Sequence, residues 1–250
     1  EADPAADVEG LDAADKIAIL SGLAFGGSID REKIPTEGIS KLNSKDVDYA
    51  TQLGFGVKLL AIAEKIDSID GTNESLPLAL RVQPTLVPSD HPLAGVNGVN
   101  NAILIEGEPI GEVMFYGPGA GAGPTASAVV ADILNIAGIQ LMGNKTNSLD
   151  PLLAANSWRN CHIVEPSQIN QRNYVRLIAL DNPGVIGRIG SIFGVHNVSI
   201  QSIVQFDACQ EGAEIVVITH EVKRGEMNNA LSEIKALPEV QSVAAHMGCI

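Results

Sequence analysis

The chain has 250 residues, 45% of them hydrophobic, and its 30 Asp and Glu against 16 Lys and Arg give a formal net charge of −14. This length and composition predict a folded protein made of one large domain or two smaller ones. The acidic balance argues against a nucleic acid or an anionic membrane surface as a partner.

Cysteine usage and the N-terminal residues indicate the compartment. Cys161, Cys209 and Cys249 are odd in number and widely spaced, so they predict neither a disulfide framework nor a metal site, and we expect a reducing, cytoplasmic setting. No unbroken apolar run reaches the length of about 18 residues that suggests a membrane span, and no signal peptide pattern is present. The first residues, which do not include Met, already read as part of a motif, so we expect a piece of a longer protein.

The first predicted helix covers residues 10–25 and ends at a glycine pair. Its second half is apolar on nearly every side, which predicts burial. Asp7 or Glu9 is expected near its start, where a carboxylate can accept bonds from free N–H groups. Asp12 and Lys16 are four residues apart and therefore share one face. Spacing alone favours an ordinary stabilising pair of about 0.2–0.5 kcal/mol, and the rim of a polar ligand site is the alternative.

A short helix capped by Ser44 and then a series of strands follow. A strand over 57–63 is apolar on both faces, which indicates a central strand or an interface. Asp70-Gly71 predicts a hairpin turn, and the next strand, 76–87, contains prolines that indicate an edge or bulges. With two more strands over 101–107 and 111–117, the pattern predicts an antiparallel sheet of about four strands.

A glycine-rich stretch, GPGAGAGPTAS, then precedes a helix predicted over 125–136. Gly117, Gly119 and Ala122 fit GxGxxA, but no βαβ unit surrounds them and no acidic residue ends a following strand, so the dinucleotide signal is weak. Three roles stay open. The backbone N–H groups could face a phosphate, the strand and helix could pack closely, or the glycines could make room for a flat ring.

Residues 140–172 lose periodicity and predict a domain boundary. We expect one domain over 1–150, a linker over 151–172 in which Trp158 packs against a neighbouring surface, and a second domain over 173–250. The second domain reads βαββαβ, with a helical stripe of Ile186, Ile189, Ile192 and Phe193. The predicted fold class is α+β: a mixed or antiparallel sheet with helices, followed by a ferredoxin-like βαββαβ domain.

The second domain resembles the ACT family of small-ligand regulatory modules through DNPGVIGRIGSIFGVHNVSIQSIVQ. That resemblance implies an effector amino acid bound between paired domains, near the first turn and the second strand. The residues it implicates are Asp181, Asn182, Gly184, Asn197, Ser199 and Gln201. From the residues alone, Asp181 and Asn197 are equally well explained as turn formers.

The first domain resembles the C-terminal part of the homoserine dehydrogenase catalytic region. The resemblance rests on EADP at 1–4, Asp7, GLDAADKI at 10–17 and the glycine-rich stretch, and the following ACT-like domain matches the bacterial form. It implies NADP- or NAD-dependent interconversion of L-homoserine and L-aspartate 4-semialdehyde in threonine, methionine and isoleucine biosynthesis. It further implies feedback by threonine at the ACT domain and assembly as a homodimer or homotetramer.

The same resemblance implies roles for individual residues. Lys16 would donate and accept the proton, Glu1 and Asp12, with Asp7 close by, would hold homoserine, and Gly121 and its neighbour Gly119 would lie against the nicotinamide. The family's dinucleotide-binding domain, second active-site lysine and monovalent-cation loop have no match here. We therefore expect this polypeptide alone to be inactive. The alternative is an amino-acid-sensing ACT protein with a non-catalytic remnant domain.

Overall fold

The computed structural model describes residues 4–66, 75–142, 160–209 and 212–250. Glu1, the Asp70-Gly71 turn and Trp158 lie outside the described residues. The helices are α1 (Ala5–Val8), α2 (Leu11–Phe25), α3 (Ser44–Gln52), α4 (Ala122–Met142), α5 (Val185–Val195) and α6 (Arg224–Lys235). The strands are β1 (Phe55–Lys65), β2 (Leu76–Pro88), β3 (Asn100–Gly107), β4 (Gly111–Pro118), β5 (Cys161–Ile163), β6 (Asn170–Ala179), β7 (Ile200–Cys209), β8 (Gly212–Thr219), β9 (Val222–Lys223) and β10 (Val240–Cys249).

Strands from distant parts of the chain form one mixed sheet in the order β1-β2-β10-β6-β8-β7, with β5 paired to β2 and β9 to β6. β10 runs parallel to β2 through Gly248 and Cys249 and antiparallel to β6. The prediction of one antiparallel sheet over residues 57–117 is therefore wrong. β1 and β2 join the C-terminal strands, whereas β3 and β4 pair with each other in a separate hairpin.

β2 corrects the interpretation of its prolines, since the strand is buried along almost its whole length rather than lying at an edge. Besides β1, three segments pair along it: β5 at residues 76–78, a bridge from Thr36 to Val82, and β10 at residues 85–86. Pro77 and Pro84 are tolerated because the partners change along the strand. β1 is the first strand in the sheet order, and both of its faces are half-buried.

The C-terminal module has the predicted βαββαβ order, formed by β6, α5, β7, β8, α6 and β10. Its core lies between the sheet and the two helices, and Met227, Ala230, Leu231 and Ile234 of α6 are buried as predicted. On α5 the predicted stripe is wrong at one position. Val185 is buried and Ile186 is exposed, because the helix begins directly after Gly184 and this start turns Val185 towards the sheet.

Helices α2 and α3 begin differently from the prediction, and α2 is less buried than predicted. α2 follows Gly10, whose φ is 76°, with no side-chain cap from Asp7 or Glu9. α3 is capped by Asn43, whose Oδ1 accepts a hydrogen bond from the Lys45 N–H at 3.0 Å, so Ser44 is the first helical residue. The prediction that α2 is buried all round is wrong, because one face packs on β1 and β2 while Ile19 and Leu23 are exposed.

By compactness the chain falls into two units, residues 1–87 together with 159–250, and residues 88–158. The boundaries predicted at 150 and 172 stay a prediction. The second unit contains the β3–β4 hairpin and α4, which begins three residues earlier than expected, at Ala122 rather than Thr125. Residues 122–141 have the length and mean hydropathy (1.3) of a membrane-crossing helix, by those two measures only, and none of them is buried. Asp132 and Asn135 interrupt the run, which is why an unbroken apolar stretch is not seen in the sequence.

Candidate functional site

Helix α2 presents the Asp12–Lys16 pair towards solvent. Gly10 allows the chain to turn into α2, and a Cβ at this position would lie 2.9 Å from Val82 Cγ1, so the chain passes directly over β2. Ala14 on the inner face is buried against the sheet. On the outer face, Lys16 Nζ lies 2.5 Å from Asp12 Oδ2, and the two side chains are 61% and 43% exposed.

The neighbouring carboxylates are arranged differently. Asp15 is engaged by Arg31, whose Nε donates to Asp15 Oδ1 at 2.5 Å and whose Nη2 donates to the Leu11 carbonyl at 3.2 Å. Asp7 is exposed on α1 and, within the described ranges, forms no ion pair or side-chain hydrogen bond. The structure thus joins Asp12 to Lys16, leaves Asp7 separate, and does not describe Glu1.

The glycine-rich turn lies between β4 and α4. A Cβ on Gly119 would lie 1.5 Å from Asn101 Nδ2, so this position has no room for a side chain while Asn101 keeps its rotamer. Gly121 has φ 119°, a left-handed conformation that favours glycine. The turn is exposed and leads into a helix of 21 residues, whose first N–H groups lack intrahelical partners. Gly119 is thus explained by close packing against Asn101, and the exposed backbone of the turn is open to a ligand.

In the ACT-like module, the turn after β6 and the middle of β7 line a cleft of about 390 Å³. Asp181, Asn182 and Gly184 all belong to it. Gln205, which the sequence analysis missed, lines it too, and its Nε2 donates to Asp181 Oδ1 at 3.0 Å. The sequence signal for Gln205 was a polar residue between the apolar Val204 and Phe206 of β7.

The other three proposed effector residues lie elsewhere on the module. Asn197 has φ 57°, in the turn before β7, and Ser199 accepts a backbone hydrogen bond from His220. Gln201 accepts a hydrogen bond from Arg172 at the start of β6, whereas Asp181 follows the end of that strand. The structure therefore places two groups at opposite ends of the sheet, Asp181 with Asn182 and Gly184, and Asn197 with Ser199 and Gln201.

A buried ionic network attaches α3 to the sheet of this module. Asp46 and Arg176 are 2% and 4% exposed, and Arg176 donates from Nε to Oδ1 (2.7 Å) and from Nη2 to Oδ2 (2.9 Å). The Tyr174 hydroxyl donates to the same carboxylate at 3.0 Å. Lys45 Nζ and Arg176 Nη1 both approach Glu214, at 2.5 and 3.4 Å.

The pKa shifts follow from these contacts. The hydrogen bond to Asp46 raises the pKa of Arg176, and burial, reinforced by Asp46, raises that of Tyr174. Burial alone would raise the pKa of Glu214, but the hydrogen bond from Lys45 and the charge of Arg176 outweigh it and lower the value. Arg176 and Glu214 therefore stay charged at neutral pH. Sequence analysis missed it because Asp46 and Arg176 are 130 residues apart.

Known proteins match both domains of this chain. The homoserine dehydrogenase family model matches residues 1–134 and the ACT domain model matches residues 173–239. A homoserine dehydrogenase from Synechocystis sp. is 50% identical over 243 residues, which cover 97% of this chain and 55% of that protein. One from Bacillus subtilis is 37% identical over 246 residues, covering 97% and 54%.

Solved structures agree. A homoserine dehydrogenase from Thiobacillus denitrificans superposes with a TM-score of 0.89 at 35% identity, over 100% of this chain and 55% of that one. The S. aureus homoserine dehydrogenase at pH 7.5 gives 0.69 at 25% identity, over 100% and 54%. The chain thus spans about half the length of the relatives it matches.

Proposed function

Because this chain belongs to the homoserine dehydrogenase family and carries an ACT domain, we propose that it supplies the substrate-binding and regulatory half of an enzyme that interconverts L-homoserine and L-aspartate 4-semialdehyde. The observation that carries the proposal is the Lys16–Asp12 pair, exposed on α2 inside the family match. We further propose that the enzyme works in the cytoplasm and serves threonine, methionine and isoleucine biosynthesis.

The pair suits the proton transfer in this reaction. As the neutral amine, Lys16 Nζ takes the proton from the substrate hydroxyl in the oxidative direction and becomes the ammonium, which returns the proton to the carbonyl oxygen in the reverse direction. Asp12 Oδ2 orients the Lys16 ammonium, which leaves Oδ1 to receive the substrate ammonium. Asp7 adds a second carboxylate on α1, and Glu1 is proposed for the same task. Together these carboxylates would set the distance from the substrate ammonium to the reacting carbon.

Gly119 and Gly121 would hold the nicotinamide end of NADP or NAD. The exposed backbone of the turn and the left-handed Gly121 fit a flat ring laid against the chain. When bound, the nicotinamide supplies the acceptor or donor of hydride. The choice between NADP and NAD would depend on residues that bind the adenosine ribose, and those are proposed to belong to a dinucleotide-binding domain, as is the monovalent-cation site.

A graft tests the catalytic proposal. We expect no homoserine-dependent reduction of NADP or NAD by the 250-residue chain alone, and clear reduction when the chain replaces the matching part of the Synechocystis relative. In the graft, Lys16→Ala should lower kcat by about 10²–10⁴-fold, the usual contribution of a positioned acid–base group. Lys33→Ala, which removes another exposed lysine from an Asp ion pair, is the matched control. Near-normal turnover in the Lys16 variant would remove Lys16 from this role. An inactive graft that is folded and binds an amino acid would favour the amino-acid-sensing alternative.

For regulation, we propose that threonine binds the ACT domain at the Asp181 cleft, with Asn182, Gly184 and, from a paired domain, Asn197, Ser199 and Gln201. Support comes from the cleft itself, where Asp181 can hold an ammonium and the N–H groups that follow Val185 in the first turn of α5 can face a carboxylate. Calorimetry of the chain should show heat on adding threonine, and Asp181→Ala should reduce it. A silent titration at millimolar threonine would argue against direct binding.

Self-association is proposed from exposed apolar surface. The hairpin exposes Ile105 and Phe115, and α4 exposes Ile133 and Leu134, more than a monomer usually leaves in one region. We propose that a second copy covers part of this surface in a homodimer or homotetramer. Sedimentation equilibrium should give at least twice the monomer mass, and Phe115→Glu should reduce it. A monomer at all concentrations would refute this assembly.

A further inference from the structure

A polar cavity of about 300 Å³ is lined by none of the residues proposed above for the substrate, the cofactor or the effector. We call it the seam cavity, because residues of the loop 37–42 and of β2 line it from one side and residues of β6, α6 and β10 from the other. The side chains used below are Glu37, Lys41, Gln83, Gln171, Arg224 and His246. Its volume is at the lower end of small-molecule sites, about 300–1,000 Å³.

One wall is a chain of buried amides that holds its shape. Gln83 and Gln171 are 5% and 6% exposed. Gln83 Nε2 donates to Gln171 Oε1, and Gln171 Nε2 donates to Asn173 Oδ1, both at 3.1 Å. His246 Nε2 lies 2.9 Å from the same Asn173 oxygen and must donate to it, since that oxygen can only accept. The wall is therefore neutral, polar and rigid.

Three charged side chains that line the cavity are available to a ligand. Among the residues that the structure describes, the side chains of Glu37, Lys41 and Arg224 form no ion pair or hydrogen bond. Arg224 lies close enough to His246 for its charge, together with burial, to lower the imidazole pKa to about 4. Arg224 is half-buried beside a neutral imidazole, which favours an anionic partner. Glu37 and Lys41 are exposed, and their charges can attract the ammonium and the carboxylate of a ligand.

We propose that the seam cavity binds a free α-amino acid, with Arg224 and Lys41 receiving its carboxylate, Glu37 its ammonium, and the Gln83–Gln171 wall facing its side chain. A bare anion would meet the Glu37 carboxylate without compensation, and a bare amine would meet two cations. A zwitterion satisfies both signs at once. Its contacts would join residues 37–83 to the C-terminal module, so the ligand would tighten the junction between the two parts that the family models match separately.

Calorimetry on the 250-residue chain tests this site separately from the Asp181 cleft. The probes are L-alanine, L-threonine and L-methionine, with acetate and ethylamine as half-ligands that carry one charge each. We expect at least one amino acid to bind and both half-ligands to bind at least tenfold more weakly. Arg224→Gln and Glu37→Gln should each weaken amino-acid binding about tenfold, the effect of losing one charged hydrogen bond. Lys235→Gln at the other end of α6, which does not line the cavity, should leave this binding unchanged.

The opposite results are equally clear. No heat with any amino acid at about 10 mM, acetate binding as tightly as the amino acids, or loss of all binding in Asp181→Ala but not in Arg224→Gln would each overturn the proposal. The side-chain amide signals of Gln83 and Gln171 in NMR spectra give a local readout. They should shift on adding the amino acid that binds, and unmoved signals at saturation would place the ligand elsewhere.

Discussion

Removing the Asp46 carboxylate should destabilise the contact between α3 and the sheet more than almost any other single polar change. Asp46→Ala deletes two charged hydrogen bonds from Arg176 and one from Tyr174, all of them buried. Breaking a buried ion pair costs about 3–5 kcal/mol, because the remaining charge has lost its partner. Glu214 Oε2 still lies 3.4 Å from Arg176, so we expect about 3 kcal/mol, the lower end of that range.

Urea unfolding followed by circular dichroism measures this effect, and hydrogen exchange of β6 peptides localises it. With a slope of about 1–3 kcal/mol per M, the midpoint of Asp46→Ala should fall by about 1 M or more. Asp12→Ala is the control, because its pair with Lys16 is exposed and should contribute about 0.2–0.5 kcal/mol. If the two variants lose the same small amount, the buried network does not hold α3 on the sheet.

Three further predictions follow from packing and charge. Gly38→Ala should destabilise the fold by about 1–3 kcal/mol, since the new Cβ would lie 2.5 Å from the Glu9 Cα. Gly187→Ala on the open face of α5 is the control and should stabilise the fold by about 0.5–1 kcal/mol. Equal effects of the two substitutions on urea unfolding would contradict this reasoning. The free energy of unfolding of the wild-type chain should fall by up to about 3 kcal/mol from pH 6.5 to 4, because His246 binds a proton in the unfolded chain over this range but not in the folded one, where its pKa is lowered to about 4. His246→Gln should flatten that part of the pH profile. An unchanged slope in this variant would exclude His246 as the cause. Ile234→Ala should cost about 2–5 kcal/mol in calorimetric or urea unfolding, because the side chain is fully buried in the C-terminal core, and a loss below 1 kcal/mol would show that the core readily collapses around the site.

Local periodicity was sufficient for the individual elements. The βαββαβ order and the buried stripe of α6 follow from the apolar spacing, because a helix that packs by one face must repeat its apolar residues at about 3.6 positions. The Asp12–Lys16 contact was equally predictable, since helical geometry alone brings residues four apart together. Where local prediction failed, as at Ile186, Val185 takes the buried position at the start of the helix while the rest of the stripe is buried as predicted.

Strand partners could not be read in this way. Strands pair through backbone N–H and C=O groups, which are the same at nearly every residue. The side chains of β2 therefore do not specify that β10 pairs with it in parallel. The prolines were a misleading signal, because burial of β2 depends on the segments that cover it. The burial of α2 likewise depends on the tertiary structure, because the apolar residues of a helix do not show which of its faces other elements will cover.

The sequence by itself thus determined the helices, the C-terminal module and the residues four apart on α2, because these depend on interactions within a few positions. Only the tertiary structure decided that Asp46 meets Arg176, that Asp181 meets Gln205 rather than Gln201, and that Glu37, Lys41 and Arg224 surround one cavity. Such sites assemble residues far apart in the chain. Their chemistry depends on burial and on the distance between charges, and neither quantity exists until the sheet has formed.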